Sequence, residues 1–120
     1  MRIKLRKTDT IFSQYIRSRD DWKCRRCGHQ HEAGNQGLHN SHYFSRRHEA
    51  TRFDPENCIA LCFPCHHHWG HGEGRPEYEK YMRSLLGTKR YNALEVRANT
   101  IQKRDDRITL LYIKKLLEEV

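Results

Sequence analysis

A chain of 120 residues that is 36% hydrophobic and 32% charged fits one domain with a thin apolar core, the kind often supplemented by a bound metal. Its formal charge of +8 points to an anionic partner, nucleic acid first. No apolar run approaches the ~18 residues of a membrane span and no signal-peptide pattern is present, so the expectation is a soluble, intracellular protein.

The first seven residues, MRIKLRK, carry four positive charges and no acid, and read as an edge strand or a basic arm. Thr8, Asp9 and Thr10 offer a helix N-cap. Ile11, Phe12, Tyr15 and Ile16 follow at helical spacing, predicting a helix over 9–19. Residues 1–27 hold nine bases and three acids, so six of the eight net charges sit at this end. Cys24 and Cys27, followed by Gly28, have the form of a metal knuckle, with glycine supplying the tight turn.

Residues 29–37 are polar and read as a loop, and Leu38 to Phe44 as a short strand. Residues 45–56, with Arg46, Arg47, His48, Arg52 and the turn-like Asp54-Pro55, read as an irregular basic loop. A second short strand is predicted over Asn57–Leu61. Pro64 suits the first turn of a helix carrying Cys65 and His66. Further on, a helix over 77–86 should end at Gly87, and Thr88 can cap another. A last helix begins at Asp105 or Asp106, with an apolar stripe wide enough to pack on the domain or on a second copy.

The five cysteines lie at 24, 27, 58, 62 and 65. An odd count with two C-x-x-C pairs argues against a disulfide framework and for metal in a reducing compartment. Cys24, Cys27, Cys62 and Cys65 would close a tetrahedral Zn²⁺ site with no position left for water, which makes it structural. Cys58 falls outside the spacing and is assigned to core packing.

Ser41-His42, Asn57, and His66 directly after Cys62-Phe-Pro-Cys65 resemble the HNH endonucleases, a ββα-metal nuclease class, in the subset with a four-cysteine zinc. The wider pattern is similar to NinG-like and related phage HNH proteins. It runs through Asp9, Phe12-Ser13, Ile16-Arg17, Arg19-Asp20, the first cysteine pair, His42, Ser45-Arg46, Ala50-Thr51-Arg52, Asp54, Asn57 and the second cysteine pair. The resemblance covers roughly residues 9–71. It implies an α+β fold: a small ββα-metal core with a structural zinc, flanked by N-terminal and C-terminal helices. Residues 1–120 would form one nuclease domain, with zinc and HNH core over 9–71 and a helical extension over 77–120.

The resemblance implies that His42 is the general base, that Asn57 holds the hairpin and ring in position or ligates the metal, and that His66 binds one catalytic Mg²⁺ or Mn²⁺. Products would carry a 5′-phosphate and a 3′-hydroxyl. Two positions depart from the pattern: Ser41 stands where many members have a metal-ligating Asp or His, and Gly70 where many have a second helix histidine. The remaining ligands stay open among His39, Asn57, His67, His68 and His71, with His71 favoured. Arg46 and Arg52 suit phosphate contacts, since a guanidinium forks onto phosphate oxygens.

The expected function is a metal-dependent DNA endonuclease of low sequence specificity that nicks as a monomer, or cuts both strands as a homodimer. A phage or prophage origin in a bacterial cytoplasm goes with the resemblance. An ordinary histidine base would lose activity below roughly pH 6–6.5. The alternative is a zinc-stabilised nucleic-acid-binding protein, or a phage packaging component, without essential catalysis.

Overall fold

A computed structural model describes residues 3–119, so Met1 and Arg2 of the basic arm lie outside the described residues. The chain runs α1 (Lys7–Arg19), β1 (Leu38–His42), α2 (Glu49–Arg52), β2 (Cys58–Cys62), α3 (Phe63–Gly70), α4 (Arg75–Ala98) and α5 (Asp106–Glu118). Short 3-10 turns at Pro55–Asn57 and Gly72–Gly74 precede β2 and α4. The class is α+β, as expected.

Residues 3–6 form neither strand nor helix, and α1 starts two residues earlier than the apolar spacing indicates. The reason is Asp9. It acts from the third helical position rather than as the cap, its carboxylate accepting the Arg6 N–H at 2.7 Å. Phe12 and Ile16 on the buried face of this helix are fully buried.

The two strands pair antiparallel, with Leu38 opposite Cys62 and His42 opposite Cys58. β2 has the sequence CIALC, and its first four residues are buried. That explains an apolar run without alternation: both faces are covered. Ile59, Ala60 and Leu61 join a cluster with Trp69, Tyr78, Met82, Tyr91 and Leu94, while Cys58 joins a second cluster with Phe12, Ile16, Phe53 and Ile113. The free edge of β2 is also occupied. Ala60 N–H donates to the Asp20 carboxylate at 2.8 Å, and Ala60 C=O accepts from Arg25 N–H at 2.9 Å. An otherwise open strand edge is thus closed by the turn that carries the first cysteine pair.

The two helices expected on either side of Gly87 are present as halves of α4. Gly87 has φ 79° and ψ 162°, a left-handed value that glycine adopts without strain, and it breaks the axis there. At Gly74, where α3 turns into α4, an added Cβ would lie 1.9 Å from the His68 carbonyl oxygen, so only glycine fits. α5 is capped by Asp105, whose side chain accepts from Ile108 N–H at 3.1 Å. It lays Ile113, Leu116 and Leu117 against the α1 cluster and leaves Ile108, Leu111 and Tyr112 exposed. Among the described residues, no helix is long and apolar enough to cross a membrane.

Candidate active site

The two cysteine pairs meet. The Sγ atoms of Cys24, Cys27, Cys62 and Cys65 all lie within 4.8 Å of one another, and Cys27 and Cys62 are 3.7 Å apart. Four thiolates bound at ~2.3 Å around a tetrahedral ion stand ~3.8 Å apart, so the cluster has the size and chemistry of a zinc site. Burial pushes the Cys62 and Cys65 thiols up, while at Cys24 the N–H groups of Cys27, Cys62 and Arg26 outweigh burial and bring the thiol down to about 7, so of these three crowded sulfurs it is Cys24 that is eased toward the thiolate. Cys58 is buried in the apolar cluster away from this group.

Around the cluster, Arg26 donates to Cys65 Sγ at 3.5 Å and to the Glu77 carboxylate at 2.6 Å. The Trp69 indole N–H donates to the same carboxylate at 2.5 Å. The cysteine turn, α3 and α4 are thereby joined through one acid.

A cleft of about 580 Å³ opens between the N-terminal segment, α1, β1 and α3. His39, His42, Arg46 and His66 all line it. β1 brings His39 and His42, and α3 brings His66. Ser41, between the two strand histidines, turns the other way: its hydroxyl meets the Tyr78 hydroxyl at 2.8 Å inside the core. Serine at this position therefore serves the packing of α4 and does not stand in for a ligand.

The ring that faces His66 belongs to His39. Their Nδ1 atoms are 3.0 Å apart. Both rings are held toward the neutral form. Burial lowers His66 to about 4, with the charges of His39, His71 and Arg46 adding to it. Burial, then the Arg17 charge, lowers His39. His71, favoured from the sequence as the second ligand, lies instead against His67, with ring centroids 4.7 Å apart, on the exposed end of α3. The position one helical turn after His66 is Gly70, and His71, five residues on, comes after the helix ends, with extended backbone, and follows His67 by one turn instead. His67 and His68 are also exposed.

His42 is half-buried. Its Nε2–H donates to the Arg52 carbonyl oxygen at 2.9 Å, which leaves Nδ1 as the basic ring atom. Burial lowers it to about 4. The Arg46 and Arg52 charges act in the same direction, while the bond to Arg52 and the Asp9 carboxylate oppose.

Asn57 is fully buried and fully used. Its Nδ2 donates to the Phe44 and Thr51 carbonyls at 2.9 and 3.0 Å, and its Oδ1 accepts from Phe44 N–H at 2.8 Å. It pins both ends of the 44–51 segment, and it is fully buried and absent from the cleft lining, so of its two expected roles the positional one fits. Arg52 does not suit a phosphate contact. It is 6% exposed, and its Nε and Nη2 donate to the Asp9 carboxylate at 2.9 and 2.5 Å. That pair, with the Arg6 N–H, holds Asp9 below the usual carboxylate range despite its burial. Arg46 is the freer arginine, about one-third exposed and 4.0 Å from Asp9.

Arg17, which the sequence shows only as part of the wider phage-like pattern and without a role, is buried in the cleft wall. It lies off the apolar stripe of α1, and one arginine among nine bases gives no signal of burial.

Comparison with protein-family models, with characterised proteins and with solved structures returns no match to this chain.

Replacing Cys24 by Ser removes one of four converging sulfurs. We expect purified wild-type protein to contain zinc and Cys24→Ser to lose it, with a loss of near-ultraviolet circular dichroism and aggregation. A Cys24→Ser protein that keeps the wild-type spectrum and melting temperature would refute a stabilising metal there.

Proposed function

We propose that this protein is a divalent-metal-dependent DNA endonuclease of the ββα-metal type, with a structural zinc at the four cysteines. The observation that carries the reading is the cleft itself. A histidine whose Nε2–H is tied to a backbone carbonyl stands in the same pocket as two histidines whose Nδ1 atoms converge.

His42, with its proton fixed on Nε2, accepts a proton from the attacking water at Nδ1. The Arg52 carbonyl keeps the ring from flipping and stabilises the imidazolium that forms. His39 and His66 would hold the catalytic ion. Their Nδ1 atoms share a hydrogen bond at 3.0 Å, close enough for one ion to take the place of the shared proton once both neutral rings carry their hydrogen on Nε2. When bound, such an ion supplies positive charge for the phosphoryl oxygens and the leaving oxygen. Arg46 lies at the cleft mouth, where a guanidinium can fork onto a backbone phosphate. Asp9 is neutralised by Arg52, so the cleft presents positive charge to an anionic chain. Phosphate contacts position without reading sequence, and low sequence specificity follows.

The test is nicking of supercoiled plasmid in Mg²⁺ or Mn²⁺. Relaxed circles should appear first, EDTA should abolish them, and His42→Ala should slow them by at least about 100-fold while keeping DNA binding. Wild type and His42→Ala that bind DNA alike and cut alike, or not at all, would leave a zinc-stabilised binding protein.

The pH profile tests His42 separately. Its value of about 4 means that it stays unprotonated as pH falls through the ordinary histidine range. The acid limb therefore moves below the 6–6.5 expected of an unperturbed imidazole. Nicking at saturating Mg²⁺ should hold down to about pH 5 and fall toward about pH 4. A half-maximal rate near 6.5 would contradict a buried base.

A further inference from the structure

We propose that Arg17 is a phosphate-contacting residue of the cleft: a buried guanidinium with no carboxylate partner, placed beside His39 to receive a non-bridging oxygen of the DNA backbone. This rests on the nuclease reading and adds to it a residue that enters from α1, outside the strand–loop–strand–helix unit.

Arg17 is 8% exposed, yet its charge is uncompensated. Its Nε donates to the Ser13 carbonyl at 3.2 Å and its Nη1 to the Asn35 carbonyl at 3.4 Å. Its carbon centre lies 4.8 Å from the centroid of the Trp22 ring. These groups orient the guanidinium without neutralising it. No carboxylate among the described residues comes within 4.0 Å of it. The other buried or half-buried arginines near α1 differ: Arg6 has Glu49 and Asp106, Arg19 and Arg25 share Asp20, and Arg52 has Asp9.

An arginine cannot escape burial by giving up its proton, so a buried one without a counter-ion is costly. The cost is offset when an anion completes the site. Arg17 lines the same cleft as His39, His42 and His66. An anion reaching those histidines therefore comes within reach of Arg17. Among the described residues Nη2 has no acceptor and remains to donate to it. Preorganised positive charge of this kind binds the ground state and gains strength as charge grows on the phosphoryl oxygens.

The test compares wild type, Arg17→Gln and Arg17→Lys. Glutamine keeps an N–H for the Ser13 or Asn35 carbonyl and removes the charge, while lysine keeps the charge and removes the fork. Three readouts are taken: zinc content with melting temperature, binding of a short fluorescent duplex across a salt series without divalent metal, and plasmid nicking in Mg²⁺. Arg17→Gln should stay folded with its zinc, bind with a log–log salt slope shallower by about one, and nick about 100-fold or more slowly. Arg17→Lys should fall between it and wild type.

Duplex binding, salt slope and nicking within about twofold of wild type in Arg17→Gln would overturn the proposal while leaving the nuclease reading intact. Equal losses in both variants that track lost zinc or a lowered melting temperature would assign Arg17 a purely structural role, and overturn it too. A wild type that binds but does not nick, with the shallower slope in Arg17→Gln, would retain the phosphate contact and remove the nuclease.

Discussion

The convergence of four sulfurs fixes where α3 stands relative to β1. Cys62 ends β2 and Cys65 lies in the first turn of α3, so any group gripping both sets the angle at which the helix leaves the strand. Cys24 and Cys27 anchor that junction to the turn after α1. The same turn covers the β2 edge through Asp20 and Arg25. His66 follows Cys65 directly, so its meeting with His39 is a consequence of this junction. A two-stranded sheet alone is marginal in water, and this one is held by the cysteine cluster on one side and apolar helices on the other.

The opposite wall of the cleft has a different support. Asp9, near the start of α1, is buried against Arg52, and the backbone carbonyl of Arg52 is what His42 donates to. Asn57 closes the loop between them with three hydrogen bonds. A carboxylate at one end of the chain thus reaches the orientation of an imidazole through one arginine. Removing either member of such a buried pair leaves the other uncompensated, which typically costs several kcal/mol. Loss of function on substituting Arg52 is therefore expected to come through a misplaced His42 and not through a lost phosphate contact.

Much of this was legible in the sequence because spacing carries it. Two C-x-x-C pairs, Pro64 at a helix start, the break at Gly87 and the cap at Asp105 are local signals, and the elements they mark appear within a few residues of their expected bounds, whereas α2 (Glu49–Arg52) is a single helical turn inside 45–56, which reads as an irregular loop because four residues are too short to show a helical period. What was not legible depended on burial and on distant partners. Arg52 and Arg46 look alike as letters; only the meeting with Asp9, 43 positions away, separates them. His71 was favoured as the histidine next to the Gly70 position, but α3 ends before it and its ring lies against His67. His39 lies on β1, and its approach to a ring 27 positions later follows from strand register and the α3 junction together. Arg17 is one of nine bases near the N-terminus, and composition does not tell a solvated charge from a buried one.

The proposed centre requires two metals of different kinds at two places. Anomalous diffraction from crystals of the wild-type protein soaked in Mn²⁺, collected above the zinc and manganese edges, examines both at once. A zinc peak is expected among the sulfurs of residues 24, 27, 62 and 65, and a separate manganese peak between His39 and His66. A zinc peak with no manganese at that histidine pair would contradict a catalytic ion there. Absence of any metal among the sulfurs would contradict the scaffold on which the cleft is built.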